Sequence, residues 1–176
     1  RFCQVTGVQT CALPIFAVIG SGALVGGVLL ARGRGEGLVA TAVDAAGSAV
    51  VIASWANLLN LLDLRPGRAA KAAVVVCLPL LAGSAGASRL LASGALGTAA
   101  ATLPEDLMER TMLGDTGANA LGALVGTALA AHPCRLLRAV AAGTATALVL
   151  ASERVSFTQV IESTPLLDAL DRCGRL

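Results

Sequence analysis

Leu38 to Leu62 reads LVATAVDAAGSAVVIASWANLLNLL, 25 residues with a single charged side chain, Asp44. As a helix this stretch would be about 37 Å long, enough to cross a hydrocarbon layer of about 30 Å. Asp44 stands near its start, where an ionised group costs less than the roughly 3 kcal/mol expected at the bilayer centre. Similar runs lie on both sides. Ile15 to Ala31 is 17 uncharged residues, closed by the polar loop Arg32-Gly-Arg34-Gly-Glu36-Gly. Ala72 to Pro104 is 33 residues with one charge, Arg89. At about 50 Å that run is too long for one crossing, and Gly83-Ser-Ala-Gly86-Ala-Ser88 provides a turn between two short spans, Ala72–Ala82 and Leu90–Leu103. Thr116–Ala131 and Ala139–Ala151 complete the series. The expected fold is therefore all-α, a polytopic transmembrane helical bundle of about six spans over residues 16–151, with a polar, amphipathic tail at 152–176.

Composition agrees with that reading. Hydrophobic residues make up 56% and charged residues 14% of the 176, and mean hydropathy is +0.79, well above the balance of a water-soluble domain. Aromatic side chains are only 2%, which leaves Trp55 as the one candidate for an interfacial aromatic belt. A formal net charge of +2, dispersed along the chain, argues against nucleic-acid binding. The five cysteines show neither disulfide pairing nor metal-ligand spacing and read mostly as packing residues.

The first residue is Arg1, and Val5 to Ile15 (VTGVQTCALPI) resembles a translated sequencing adapter. Residues 1–15 are accordingly read as a leader foreign to the protein. The native sequence is then expected near Phe16, with upstream coding lost and the fragment inactive alone.

Two segments could carry chemistry. Asn57-Leu-Leu-Asn60-Leu-Leu-Asp63-Leu-Arg65-Pro66-Gly67-Arg68-Ala-Ala-Lys71 closes the second span. Its Asn57, Asn60 and Asp63 recur every three residues, so they share one face of a helix end. With Arg65, Arg68 and Lys71 they form an inventory able to hold a diphosphate and a metal. An ordinary basic flank after a span accounts for the cations equally well. The second segment is Gly114-Asp115-Thr-Gly117-Ala118-Asn119-Ala-Leu-Gly122. Flanking glycines leave room for a phosphate and a hydrated cation beside Asp115. If Thr116 opens the helix, Asp115 is also its N-cap and needs no further function. Six spans put residues 57–71, the charged loop 105–115 and the tail on one side of the membrane. Arg and Lys there outnumber those opposite only slightly, favouring the cytoplasm faintly.

Together the two segments resemble signatures of the polyprenyl-phosphate N-acetylaminosugar-1-phosphate transferase family, Asn-x-x-Asn-x-x-Asp-Gly-x-Asp-Gly and Gly-Asp-x-Gly-Ser-x-x-x-Gly, in the family's order. The tail from Glu153 through Arg175 resembles a branch of that family in Gram-positive bacteria. The resemblance implies a multi-pass enzyme of the bacterial plasma membrane with a cytoplasmic active site. Its substrates would be a UDP-N-acetyl sugar and polyprenyl phosphate, its cofactor Mg2+ and its released product UMP. It implies that Asp115 is the metal ligand and catalytic with Asp63. Asn57, Asn60, Gly67, Arg65, Arg68, Lys71, Gly114 and Gly117 would then line the substrate site. A homodimer is compatible with it. Departures are Leu64 for the first signature Gly, Pro66 for the second Asp and Ala118 for Ser. The family's upstream Asp-Asp pair does not occur in the chain. The lone His132 falls opposite the site, where a helix-end or loop role is expected. The competing readings are a transporter subunit with Asp44 and Asp63 as intramembrane polar sites, and an inactive family member that binds lipid phosphate.

Overall fold

The computed structural model describes residues 7–34, 37–83 and 86–174, with side chains from Ala17 onward. Among these residues the chain is all helical. Six helices follow the six apolar runs in order: α1 (Gly7–Arg32), α2 (Leu38–Leu62), α3 (Arg68–Gly83), α4 (Gly86–Leu107), α5 (Gly114–Ala130) and α6 (Arg135–Ser152). Two short helices, α7 (Phe157–Ser163) and α8 (Pro165–Arg172), form the tail. The leader expected at residues 1–15 falls partly outside the described residues, and helical backbone starts at Gly7. The centres of the 32–37 loop and of the 83–88 turn also lie outside them.

By length and apolar character, α2 and α6 are able to cross a membrane. The described part of α1, Ala17–Arg32, is apolar but shorter. α3 has 16 residues and α5 has 17, lengths of about 24 and 26 Å. α4 runs longer than expected, through Pro104 to Leu107. The charged loop expected at 105–115 thus shrinks to residues 108–113, because the main chain keeps its helical hydrogen bonding past the proline, with Met108 N–H donating to the Pro104 carbonyl.

The packing is built from small residues inside and large ones outside. Ala69, Ala70, Ala73, Ala92, Ala95, Ala99, Ala118 and Ala128 are wholly buried, whereas Val39, Val43, Val75, Leu78, Leu90, Leu136 and Leu150 are exposed. In water such exposed apolar surface is unfavourable, and in lipid it is not, since close backbone approach then drives association. α5 lies directly on α2. A Cβ on Gly122 would come within 2.5 Å of the Trp55 carbonyl oxygen, and one on Gly126 within 2.8 Å of Ile52 Cα. α1 meets α2 the same way at Gly27, where a Cβ would sit 2.4 Å from the Ala45 carbonyl oxygen. Trp55, the candidate for an aromatic belt, also bonds within the bundle. Its indole N–H donates to the Ala141 carbonyl of α6 at 3.1 Å, tying α2 to α6 within the bundle.

Candidate functional site

α2 ends because Asp63, its C-cap, is followed by Leu64, Arg65, Pro66 and Gly67. Proline lacks the N–H a helix would need, and Gly67 takes a φ of +78° that lets the chain turn sharply into α3. A side chain at Gly67 would also strike Leu107, 2.7 Å from its Cδ2. The turn is fixed by Asp106 near the end of α4, whose Oδ2 accepts the Gly67 N–H at 2.9 Å. Gly67 was expected to line a substrate site; what the structure gives it is a turn and a close approach.

The same bundle end receives α5. Its first residue is Gly114, at φ +65°, with Leu113 as N-cap and no side-chain cap. Asp115 therefore sits inside the first turn and does not cap the helix, because the helix opens at Gly114, two residues earlier than expected. Its carboxylate is exposed, and negative charge is favourable near a helix N-terminus. Asn119, one turn on, donates from Nδ2 to the Asp115 carbonyl at 2.7 Å. Gly117 packs against Leu113, while open space surrounds Gly114.

Asp63 feels both Asp106 and Asp115. Burial pushes the Asp63 carboxyl above the ordinary aspartate range; the negative charge of Asp106 raises it further, the Gly114 backbone hydrogen bond lowers it in part, and Asp115 raises it. The two carboxylates singled out in the sequence, 52 positions apart by subtraction of 63 from 115, are thus electrostatic neighbours at one end of the bundle. Asp63 is 7% and Asp106 1% exposed. One oxygen of each, together with the side-chain oxygens of Asn60 and Asn119, is buried without a hydrogen-bond partner. Asn57 stands one turn further into α2, half-buried.

The cations of the first motif do something else. Arg68 is buried and binds Asp171 of α8 through two contacts, Nε to Oδ1 at 2.5 Å and Nη2 to Oδ2 at 2.9 Å. Lys71 Nζ donates to the main-chain carbonyls of Leu170 at 3.1 Å and Asp171 at 2.7 Å. Arg65 pairs with Glu162 of α7. All three side chains expected to hold a diphosphate are engaged by the tail, which brings acidic side chains and helix-end carbonyls to them. Gly174 rests on Leu107, so the tail also touches the end of α4.

A groove of about 570 Å³ opens beside Asp115. Val18, Ile19, Gly22, Ala23 and Gly26 of α1, Ile52 of α2, and Ala120 and Ala123 of α5 form its apolar walls, with Asp115, Thr116 and Asn119 at its polar end. At the far end of the bundle His132 occupies the turn after α5, its Nδ1 accepting the Cys134 N–H at 3.1 Å, as its expected loop role requires. Cys77 is buried, whereas Cys134 and Cys173 are exposed and free, so packing explains only the first of these three.

No protein-family model matches the chain, and neither the curated proteins nor the solved structures yield a match. Asp106 is the site residue that sequence reading missed. Glu105 and Asp106 looked like loop charges after a proline, and only the continuation of α4 turns Asp106 inward.

Proposed function

We propose that this chain belongs to a membrane-embedded transferase that moves a phospho-N-acetylaminosugar from a UDP-sugar to polyprenyl phosphate, with release of UMP. The reading is supported by the placement of Asp63, from the first signature segment, close enough to Asp115 of the second to feel its charge, at one end of a bundle whose outer faces are apolar. In this reading α1 to α6 are six spans of the bacterial plasma membrane, short ones being accommodated by local thinning or by flanking arginines. The site faces the cytoplasm, where a water-soluble sugar nucleotide reaches a lipid acceptor.

The donor chemistry suits Mg2+. The groups at this end offer oxygen only, and several of those oxygens are buried without a partner. Magnesium takes one or two carboxylates and completes its shell with water and substrate phosphate. Asp115 would hold it, with Asp63 and Asn60 beside it. Bound there, the ion would offset the repulsion between two phosphates and the charge that develops in transfer.

The chain's own residues account for the remaining requirements. The apolar groove ending at Asp115 offers a path for an isoprenoid chain that leaves its phosphate at the carboxylate. An oxygen of that phosphate would attack the sugar-bearing phosphorus, forming a new P–O bond as the bond to UMP breaks. Arg65, Arg68 and Lys71 hold the tail against the first motif, which keeps the Asp63 turn in place. The test is Asp115→Asn in the protein that carries this chain. Magnesium-dependent release of UMP from a UDP-N-acetyl sugar is expected to fall by a factor of about 100 or more; undiminished release would refute the metal role.

A further inference from the structure

The tail is assembled the wrong way round for water. The buried residue of α8 is an acid: Asp171 is 6% exposed and bound by Arg68 of α3, whereas Leu166 is 71% exposed. Leu167 and Leu170 are exposed as well. Leu170 follows Leu166 by four residues and Leu167 by three, so the leucines share one side of the helix, and Asp168, Asp171 and Arg172 occupy the other. A helix on the surface of a water-soluble bundle shows the reverse, with its apolar stripe inward and its charges outward.

The height of the tail on the bundle is fixed. Lys71, the last charged residue before the apolar run of α3, donates to the Leu170 and Asp171 carbonyls. Val75, one turn further along the same face of α3, is 70% exposed. The outward apolar surface of α3 therefore begins one turn from the residue that ties α8, and α8 lies at the level where that surface ends. Three leucines are a small patch beside the roughly 800 Å² that each partner contributes to a stable protein interface. Lipid needs no such area. In the membrane reading it already borders the outer face of α3, and the leucines extend that boundary instead of opening a new one.

We infer that α8 lies in the lipid–water interface, with Leu166, Leu167 and Leu170 seated among the headgroups and upper acyl chains of the leaflet on the Asp63 side. This seat rests on the membrane part of the transferase reading and on none of its phosphate chemistry. An isolated helix of eight residues is not stable in water, so the seat depends on the Arg68 and Lys71 ties that hold the polar side of α8 to the bundle. Through those ties the seated tail sets the depth of the turn between α2 and α3.

The experiment is photo-crosslinking of the full 176-residue chain in phosphatidylcholine vesicles, with benzoylphenylalanine replacing Leu166, Leu170, Arg172 or Val75 one at a time and adducts read by mass spectrometry. All four side chains are exposed, so the replacements leave the packing in place. Leu166 and Leu170 are expected to give lipid adducts several-fold above Arg172, at a yield near that of Val75. Adducts with a second copy of the chain in place of lipid, or lipid adducts no more abundant than at Arg172, would overturn the lipid seat while Val75 still labels lipid. Loss of lipid adducts at Val75 too would strike the membrane reading itself, and the seat with it.

Discussion

The two ends of α2 carry one aspartate each and treat it in opposite ways. Near the start, Asp44 lies between two arginines: Arg34 contacts Oδ2, and Arg138 Nη2 donates to Oδ1 at 2.8 Å. Arg34 also reaches the Ala130 carbonyl, and Arg138 the His132 carbonyl at 3.4 Å. This carboxylate has its charge met by the protein and holds α2, α5, α6 and the loop before α2 together. At the other end, Asp63 is met by Asp106 and Asp115, like charges, and by one backbone donor. A satisfied charge is a structural tie. A buried one surrounded by its own sign points to something brought from outside. The contrast also weakens the transporter reading, in which both aspartates would be working intramembrane sites, since Asp44 is fully engaged.

The predictions that could break this contrast begin with the tail, where the effect on stability should be greatest. Arg68→Ala removes the guanidinium that holds both oxygens of the buried Asp171, and loss of such a pair costs about 3–5 kcal/mol. The expected result is release of α7 and α8, read as rapid proteolysis near Arg154 with α1 to α6 intact; a tail that stays protected would show that Arg68 does not hold it. Next is Asp44→Asn, which takes the counter-charge from Arg34 and Arg138 and should cost about 1–3 kcal/mol, measured as a lower melting temperature in detergent, with any catalytic turnover retained. A similar or smaller loss, about 1–3 kcal/mol, is expected for Gly122→Leu, whose side chain would force α5 away from the Trp55 main chain; thermal melting checks it, and an unchanged melting temperature would contradict the close approach.

The smallest effect is on pH dependence. The folded protein holds the Asp63 proton more tightly than the unfolded chain does, so this group's contribution favours folding most below about pH 4. That contribution is lost as pH rises from there through the raised folded value. Asp63→Asn should flatten the stability profile in that window, and Asp44→Asn should leave this feature of it in place.

Much of the fold was legible because it rests on run length. Uncharged stretches such as Leu38–Leu62 admit few alternatives to a helix, and the Pro66-Gly67 and Gly83–Ser88 breaks declare themselves through backbone chemistry. The co-location of the two motif segments followed from counting helices that reverse direction. Asp106 could not be read the same way, since proline usually ends a helix and here α4 continues for three residues beyond it. The engagement of Arg65, Arg68 and Lys71 was equally hidden, because Asp171 and Glu162 lie about a hundred residues away and nothing local pairs them. The bond from Trp55 to the Ala141 carbonyl was hidden for a related reason, since its acceptor lies on another helix 86 positions away.

The central claim is that the Asp63 end of α2 is a reaction site and the Asp44 end is not. The most direct measurement is magnesium-dependent UMP release by Asp115→Asn and Asp44→Asn proteins prepared side by side in the protein that carries this chain. Loss of release in the first with turnover kept per folded molecule in the second is the predicted outcome. Equal turnover in both, or loss confined to Asp44→Asn, would contradict it.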